Sequence, residues 1–99
     1  MKITINKNKY DISFNFGVLK NVCKECKCTV PKVLEKASLG DLEILGSIIK
    51  YGVLFNDADF NTDEIELMTV TETINSFVVV GALLNDSMPK GDKDEKKKS

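Results

Sequence analysis

The chain contains no arginine, no histidine, no tryptophan and no glutamine. The missing arginine argues against nucleic acid, because the guanidinium fork is what reads guanine edges and clamps phosphate. All basic residues are lysines, and they form no basic face, so a nucleic-acid partner is not expected. The missing histidine removes the commonest general base and a common metal ligand. There is also no long apolar run. The longest, Phe77 to Leu84, falls far short of the roughly 20 residues that cross a bilayer, so no membrane partner is expected. The opening residues, Met1 to Ile5, read as a strand and not as the apolar segment of a signal peptide. The cytoplasm is the expected location, where the cysteines stay reduced. No G-x-S-x-G, P-loop or G-x-G-x-x-G motif occurs, and no base is spaced to activate a serine or threonine. Catalysis and a cofactor are not expected.

What is present is a short, balanced chain. Its 99 residues carry 14 lysines against 15 acidic residues, a net charge of -1, with 42% hydrophobic residues. That supports one domain over residues 1–87. Residues 88–99 form a Lys-, Asp- and Glu-rich tail that contributes nothing to a core and is expected to be solvated. A domain this small buries only about 60–65% of its unfolded surface, which leaves little room for a large cavity.

Two periodicities divide the chain. Residues 2–5 and 9–14 alternate, with Ile3 and Ile5 on one face and Tyr10, Ile12 and Phe14 on another. Asn6-Lys7-Asn8 between them reads as the turn of a β-hairpin. After Gly17 the spacing becomes helical. Phe16, Leu19, Cys23 and Cys26 form a stripe, flanked by Val18 and Val22, that predicts a helix over about 17–27. Thr29-Val30-Pro31 opens a second, short helix ending near Ala37. Ser38 reads as the cap of a third over about 40–55, whose Gly46 and Gly52 each cost about 1 kcal/mol against alanine unless close packing offsets it. Thr62-Asp63-Glu64 starts a fourth piece. Thr69-Val70-Thr71-Glu72 is a capping box for a fifth. The β-branched run Ser76 to Val80 would suit a strand, but the cap and the helical period favour a helix. The expected fold is α+β: an N-terminal β-hairpin followed by a small bundle of four to five short helices.

The candidate chemistry reduces to packing. Cys23, Cys26 and Cys28 form C-x-x-C-x-C. A structural zinc site needs four ligands, and no histidine exists to supply the fourth. Cys23 and Cys26 also continue an apolar stripe, so core packing is the expected role. A redox role would need a βαβ context that one hairpin does not supply. Asp57-x-Asp59-x-Asn61 imitates the start of a calcium loop, but Thr62 and Met68 stand where Gly and Glu are required, so no metal site is expected. What remains is surface. The Leu42, Ile49 and Val53 stripe and the Ile74, Phe77, Val78 and Leu84 stripe are the candidate protein-binding residues, since a domain this small does not readily cover both; the equal alternative is that both stripes point into one core. Self-association through the same surface, giving a homo-oligomer, is the natural competitor.

A family resemblance appears in the opening residues. Lys2-Ile3-Thr4-Ile5-Asn6, then Lys9-Tyr10-Asp11-Ile12-Ser13-Phe14, then Phe16-Gly17-Val18-Leu19-Lys20 resembles the start of tail assembly chaperones encoded by phages of Gram-positive hosts. That family is similar in its hairpin, its F-G junction into a helix, its bundle of short helices, its length and its charged tail. The chain departs from it in having Lys7-Asn8 where a glycine is common, and in its cysteine cluster. The resemblance implies binding of the tape measure protein, with the tail tube protein as a further partner. It also implies no catalysis, action in the host cytoplasm and absence from the mature virion. The alternative from the chain itself is a small regulatory or inhibitory protein-binding protein of a mobile element.

Overall fold

The computed structural model describes residues 1–87. The tail expected over 88–99 lies outside them. The element order is β1 (Lys2–Ile5), β2 (Asn8–Asp11), α1 (Phe16–Cys26), α2 (Val30–Ser38), α3 (Leu42–Leu54), α4 (Asp63–Glu66) and α5 (Val70–Ser87). The α+β architecture read from the sequence is the one observed: a two-stranded antiparallel hairpin followed by five helices.

The hairpin turn is the two-residue Asn6-Lys7, with φ of 50° and 70°. Positive φ at both central residues is the turn whose twist matches antiparallel strands. Asn8 belongs to β2 and not to the turn, facing Ile5, while Ile3 faces Tyr10. Opposed residues share a sheet face, so Ile3, Ile5 and Tyr10 point the same way. Tyr10 meets Phe60 edge-on, with ring centroids 4.8 Å apart. The second strand stops at Asp11, earlier than its alternation suggests. The backbone there changes partner: Ile12 N–H donates to Met1 O at 3.0 Å, and Ser13 N–H donates to Gly52 O of α3 at 3.1 Å.

A clamp joins this turn to α5. The Glu72 carboxylate accepts the backbone N–H of Asn6 at 3.0 Å and of Lys7 at 2.9 Å. It also accepts Thr69 N–H at 3.2 Å, while Thr69 Oγ1 accepts Glu72 N–H at 3.1 Å, which completes the expected capping box. The Asn6 side-chain amide donates to the Glu64 carboxylate. One acidic side chain thus caps α5 and holds Lys7 in a conformation that a non-glycine residue rarely adopts.

α3 is the centre of the domain. It packs on α1, α2, α4, α5 and β2, and it buries Ile44, Leu45, Ile48, Ile49 and Val53. Its cap is Asp41, which accepts Glu43 N–H and Ile44 N–H, and not Ser38. Ser38 ends α2, donating its hydroxyl to Glu35 O at 2.7 Å. Gly40, at φ 82°, closes α2 first, with Asp41 N–H returning to Lys36 O at 3.0 Å. α1 is rotated from the stripe read in the sequence. Val18 and Val22 are its buried residues and Phe16 is exposed, because the face toward α3 is centred on the valines. Leu19, Cys23, Cys26 and Cys28 pack at the core margin.

The two costly α3 glycines have different surroundings. A Cβ on Gly52 would lie 2.7 Å from both Ile12 Cγ1 and Ser13 O, the close approach that offsets its low helix propensity. A Cβ on Gly46 would meet nothing within 4 Å. No helix of the described residues is long and apolar enough to cross a membrane.

Candidate functional site

α5 inverts the usual rule of burial. Ser76 is buried, its hydroxyl satisfied by Glu72 O at 2.8 Å. Val70, Ile74 and Val78, spaced four apart on the other side, are 77%, 58% and 71% exposed. Val80 and Leu83 are the residues sent to the core. At 3.6 residues per turn, the apolar arc runs from Leu83 and Val80 through Phe77 and Leu84 to Ile74 and Val78, more than half the circumference. The hairpin and α3 cover only part of it.

The middle of that arc borders a groove. Leu34, Ala37 and Ser38 of α2 and Phe77, Val80, Gly81 and Leu84 of α5 line a recess of about 320 Å³. Gly81 has no neighbour within 4 Å of a Cβ position. Gly40 brings the loop against the ring of Phe77, whose Cζ lies 3.5 Å from its Cβ position, and Leu39 beside it is exposed. The result is an apolar surface of a valley, flanked by a ridge of β-branched side chains. Ser38 and Asn85 are its polar lining residues.

Of the residues proposed from the sequence, Ile74, Phe77, Val78 and Leu84 are brought together here. Leu42 is exposed but borders different recesses, at the start of α3. Ile49 and Val53 are buried at 1% and 0%, and belong to the core. The reason is the central place of α3: the lower part of its stripe is covered by neighbouring elements and only the first turn emerges. Leu34, Ala37 and Leu39 were not among the proposed residues. Their signal was the three- and four-residue spacing of Val30, Val33, Leu34 and Ala37, which marks an apolar side of α2.

The polar clusters tie α1 to α3. Glu25 of α1 accepts hydrogen bonds from three α3 side chains: Ser47 Oγ at 2.8 Å, Lys50 Nζ at 2.8 Å and Tyr51 Oη at 2.7 Å. The Lys50 bond, then those of Tyr51 and Ser47, lower its carboxyl from 4.5 to about 2. Burial, with the neighbouring Cys28 and Cys26, raises the Cys23 thiol. Cys28 Sγ donates to Cys26 O at 3.3 Å, and Cys26 Sγ lies 3.4 Å from Ser47 Oγ. No group of three or more metal-ligating side chains is assembled among the described residues.

The Glu25 bridge sets an acid limit. A carboxyl lowered on folding gives stability that is complete above about pH 4.5 and is lost as pH falls through about 2. Glu72, lowered first by the backbone N–H of Lys7, acts in the same direction. Because Glu25 is more than a third exposed, its share is expected to be no more than about 1 kcal/mol after solvent screening. Urea midpoints measured over that range should fall with pH, and Glu25→Gln should flatten the fall. An unchanged slope in the variant would count against the bridge.

Compared with known protein families, with curated proteins and with solved structures, the chain matches none.

Proposed function

We propose that this chain is a non-catalytic protein-binding domain that acts as a tail assembly chaperone of a long-tailed phage. It holds an apolar helical segment of the tape measure protein in the host cytoplasm while the tail tube protein polymerises, and it leaves before the virion is complete. The observation that carries the reading is the inversion on α5, where a serine is buried while Val70, Ile74 and Val78 face outward. Such an arc beside an apolar groove suits a helix that presents side chains at three- and four-residue spacing. The hairpin and F-G junction that resemble the tail chaperones add the identity of the partner. The absence of histidine is in keeping with a role that needs no reactive centre.

The test is co-expression with fragments of a phage tape measure protein. The wild-type domain is expected to keep at least one fragment soluble and to hold it at raised salt, since the contact is apolar and not ionic. The double variant Ile74→Lys, Val78→Lys is expected to fold and to lose the fragment. If no fragment is held and the lysines change nothing, the chaperone reading fails and the regulatory protein of a mobile element takes its place. Loss of a wild-type dimer in the same variant, without any fragment bound, would assign the stripe to self-association.

A further inference from the structure

Gly46 stands in the middle of α3, where glycine weakens a helix, and nothing in the domain approaches it closely enough to require glycine. Two recesses meet there. One holds about 270 Å³ and the other about 210 Å³, and they share Leu42, Gly46, Ile65 and Glu66. Together they form one cleft between the start of α3 and α4, with Gly46 in the stretch they share. It has no lining residue in common with the α2–α5 groove.

The two ends of the cleft differ in chemistry. Leu45, Ile49 and Met68 line one end. Glu43 and Asp63 line the other, and Glu66 borders both. Lys50 is the cation at that end, and it is held by Glu25 at 2.8 Å. Among the described residues, none of the other three carboxylates has a hydrogen bond or ion pair. The acidic end is therefore left with uncompensated negative charge beside the exposed Leu42 and the half-buried Ile65 and Met68.

We propose that the Gly46 cleft is a second docking site, for a protein segment that sets an apolar side chain over Gly46 and a lysine or arginine against Glu43, Asp63 and Glu66. Charge complementarity selects this occupant: an acidic or purely apolar segment leaves the three carboxylates facing a low-dielectric contact without a partner. Glycine at position 46 lets the occupant approach the α3 backbone, which any side chain would prevent. The inference does not rest on the α5 reading, because it concerns another surface and a partner of different charge.

The test uses the full chain and two fluorescein-labelled helical peptides. One carries leucines on one face with lysines a turn away; its twin has glutamates in place of the lysines. The lysine peptide is expected to bind at least about tenfold more tightly than its twin at low salt, with the preference shrinking as salt is raised. Amide shifts in NMR spectra should cluster on Gly46, Ile65, Glu66 and Thr73. Glu43→Lys with Glu66→Lys should erase the preference. Gly46→Leu should weaken binding about tenfold by filling the cleft, whereas Ile74→Lys with Val78→Lys should leave it unchanged. Gly46→Ala keeps the test open should the leucine variant fail to fold: it is expected to melt higher than wild type and yet bind more weakly. No binding of either peptide, equal binding of the twins, shifts confined to α5, or undiminished binding by a folded Gly46 variant would each overturn the site.

Discussion

Replacing Gly52 by alanine is expected to destabilise the domain by about 3 kcal/mol, although alanine is the better helix former. The added Cβ would lie 2.7 Å from Ser13 O and 2.7 Å from Ile12 Cγ1. The first is backbone and cannot rotate away, and Ser13 N–H is itself bonded to Gly52 O. Relief requires the exit of β2 to lift from α3, which opens the contact that seats the hairpin. Ile12, 2% exposed, would lose its place in the core. A domain of this size has only about 5–10 kcal/mol in hand, so the loss should appear as a large drop in urea midpoint. Gly46→Ala on the same helix is the internal control, and it should gain up to about 1 kcal/mol. Two identical substitutions six residues apart on one helix are thus expected to move stability in opposite directions. A neutral Gly52→Ala would mean that the strand exit does not sit against α3 as described.

The second large effect separates the two stripes that the sequence presents as one kind of surface. Ile49→Ala is expected to cost about 3 kcal/mol, since Ile49 is 1% exposed and its removal leaves a cavity inside a close-packed core. Ile74→Ala, at 58% exposure, should change stability by no more than about 0.5 kcal/mol. Binding should respond in the reverse order. Variants at Ile74 and Val78 lose the partner without losing the fold, and a variant at Ile49 affects binding only as far as it unfolds the domain. Chemical denaturation beside a fragment-solubility assay reads both. Equal destabilisation by Ile49→Ala and Ile74→Ala would show that α5 is covered in solution, by a second copy or by another segment.

The elements themselves were largely legible in the sequence, because each rests on local chemistry. Alternation and an asparagine turn marked the hairpin, and Thr69-x-x-Glu72 marked the start of α5 even though Ser76 to Val80 would suit a strand. The start of α3 was less legible because Ser38 and Asp41 can both cap a helix. The choice depended on Gly40, whose positive φ ends α2 before α3 begins. The candidate site was half legible. Period shows that a stripe exists, not whether anything lies over it. α5 is apolar around too much of its circumference for its period to separate the core arc from the exposed one. Ile49 and Val53 resemble Ile74 and Val78 in spacing and differ only in having neighbours distant in sequence. The α2 wall of the groove and the acidic end of the Gly46 cleft were not anticipated, since each brings together segments tens of residues apart.

The clamp at Glu72 bears on the order in which the chain assembles. Its bonds to Asn6 and Lys7 join residues 66 and 65 positions apart. The turns of α1, α2 and α3 are local and can form early, but the clamp must wait until a long loop has been closed. The strained turn at Lys7 gains its partner only then. Contacts made after the rate-limiting step govern how fast a fold opens more than how fast it forms. Loss of the Glu72 carboxylate is accordingly expected to speed unfolding more than it slows folding, since its bonds join segments so far apart in sequence.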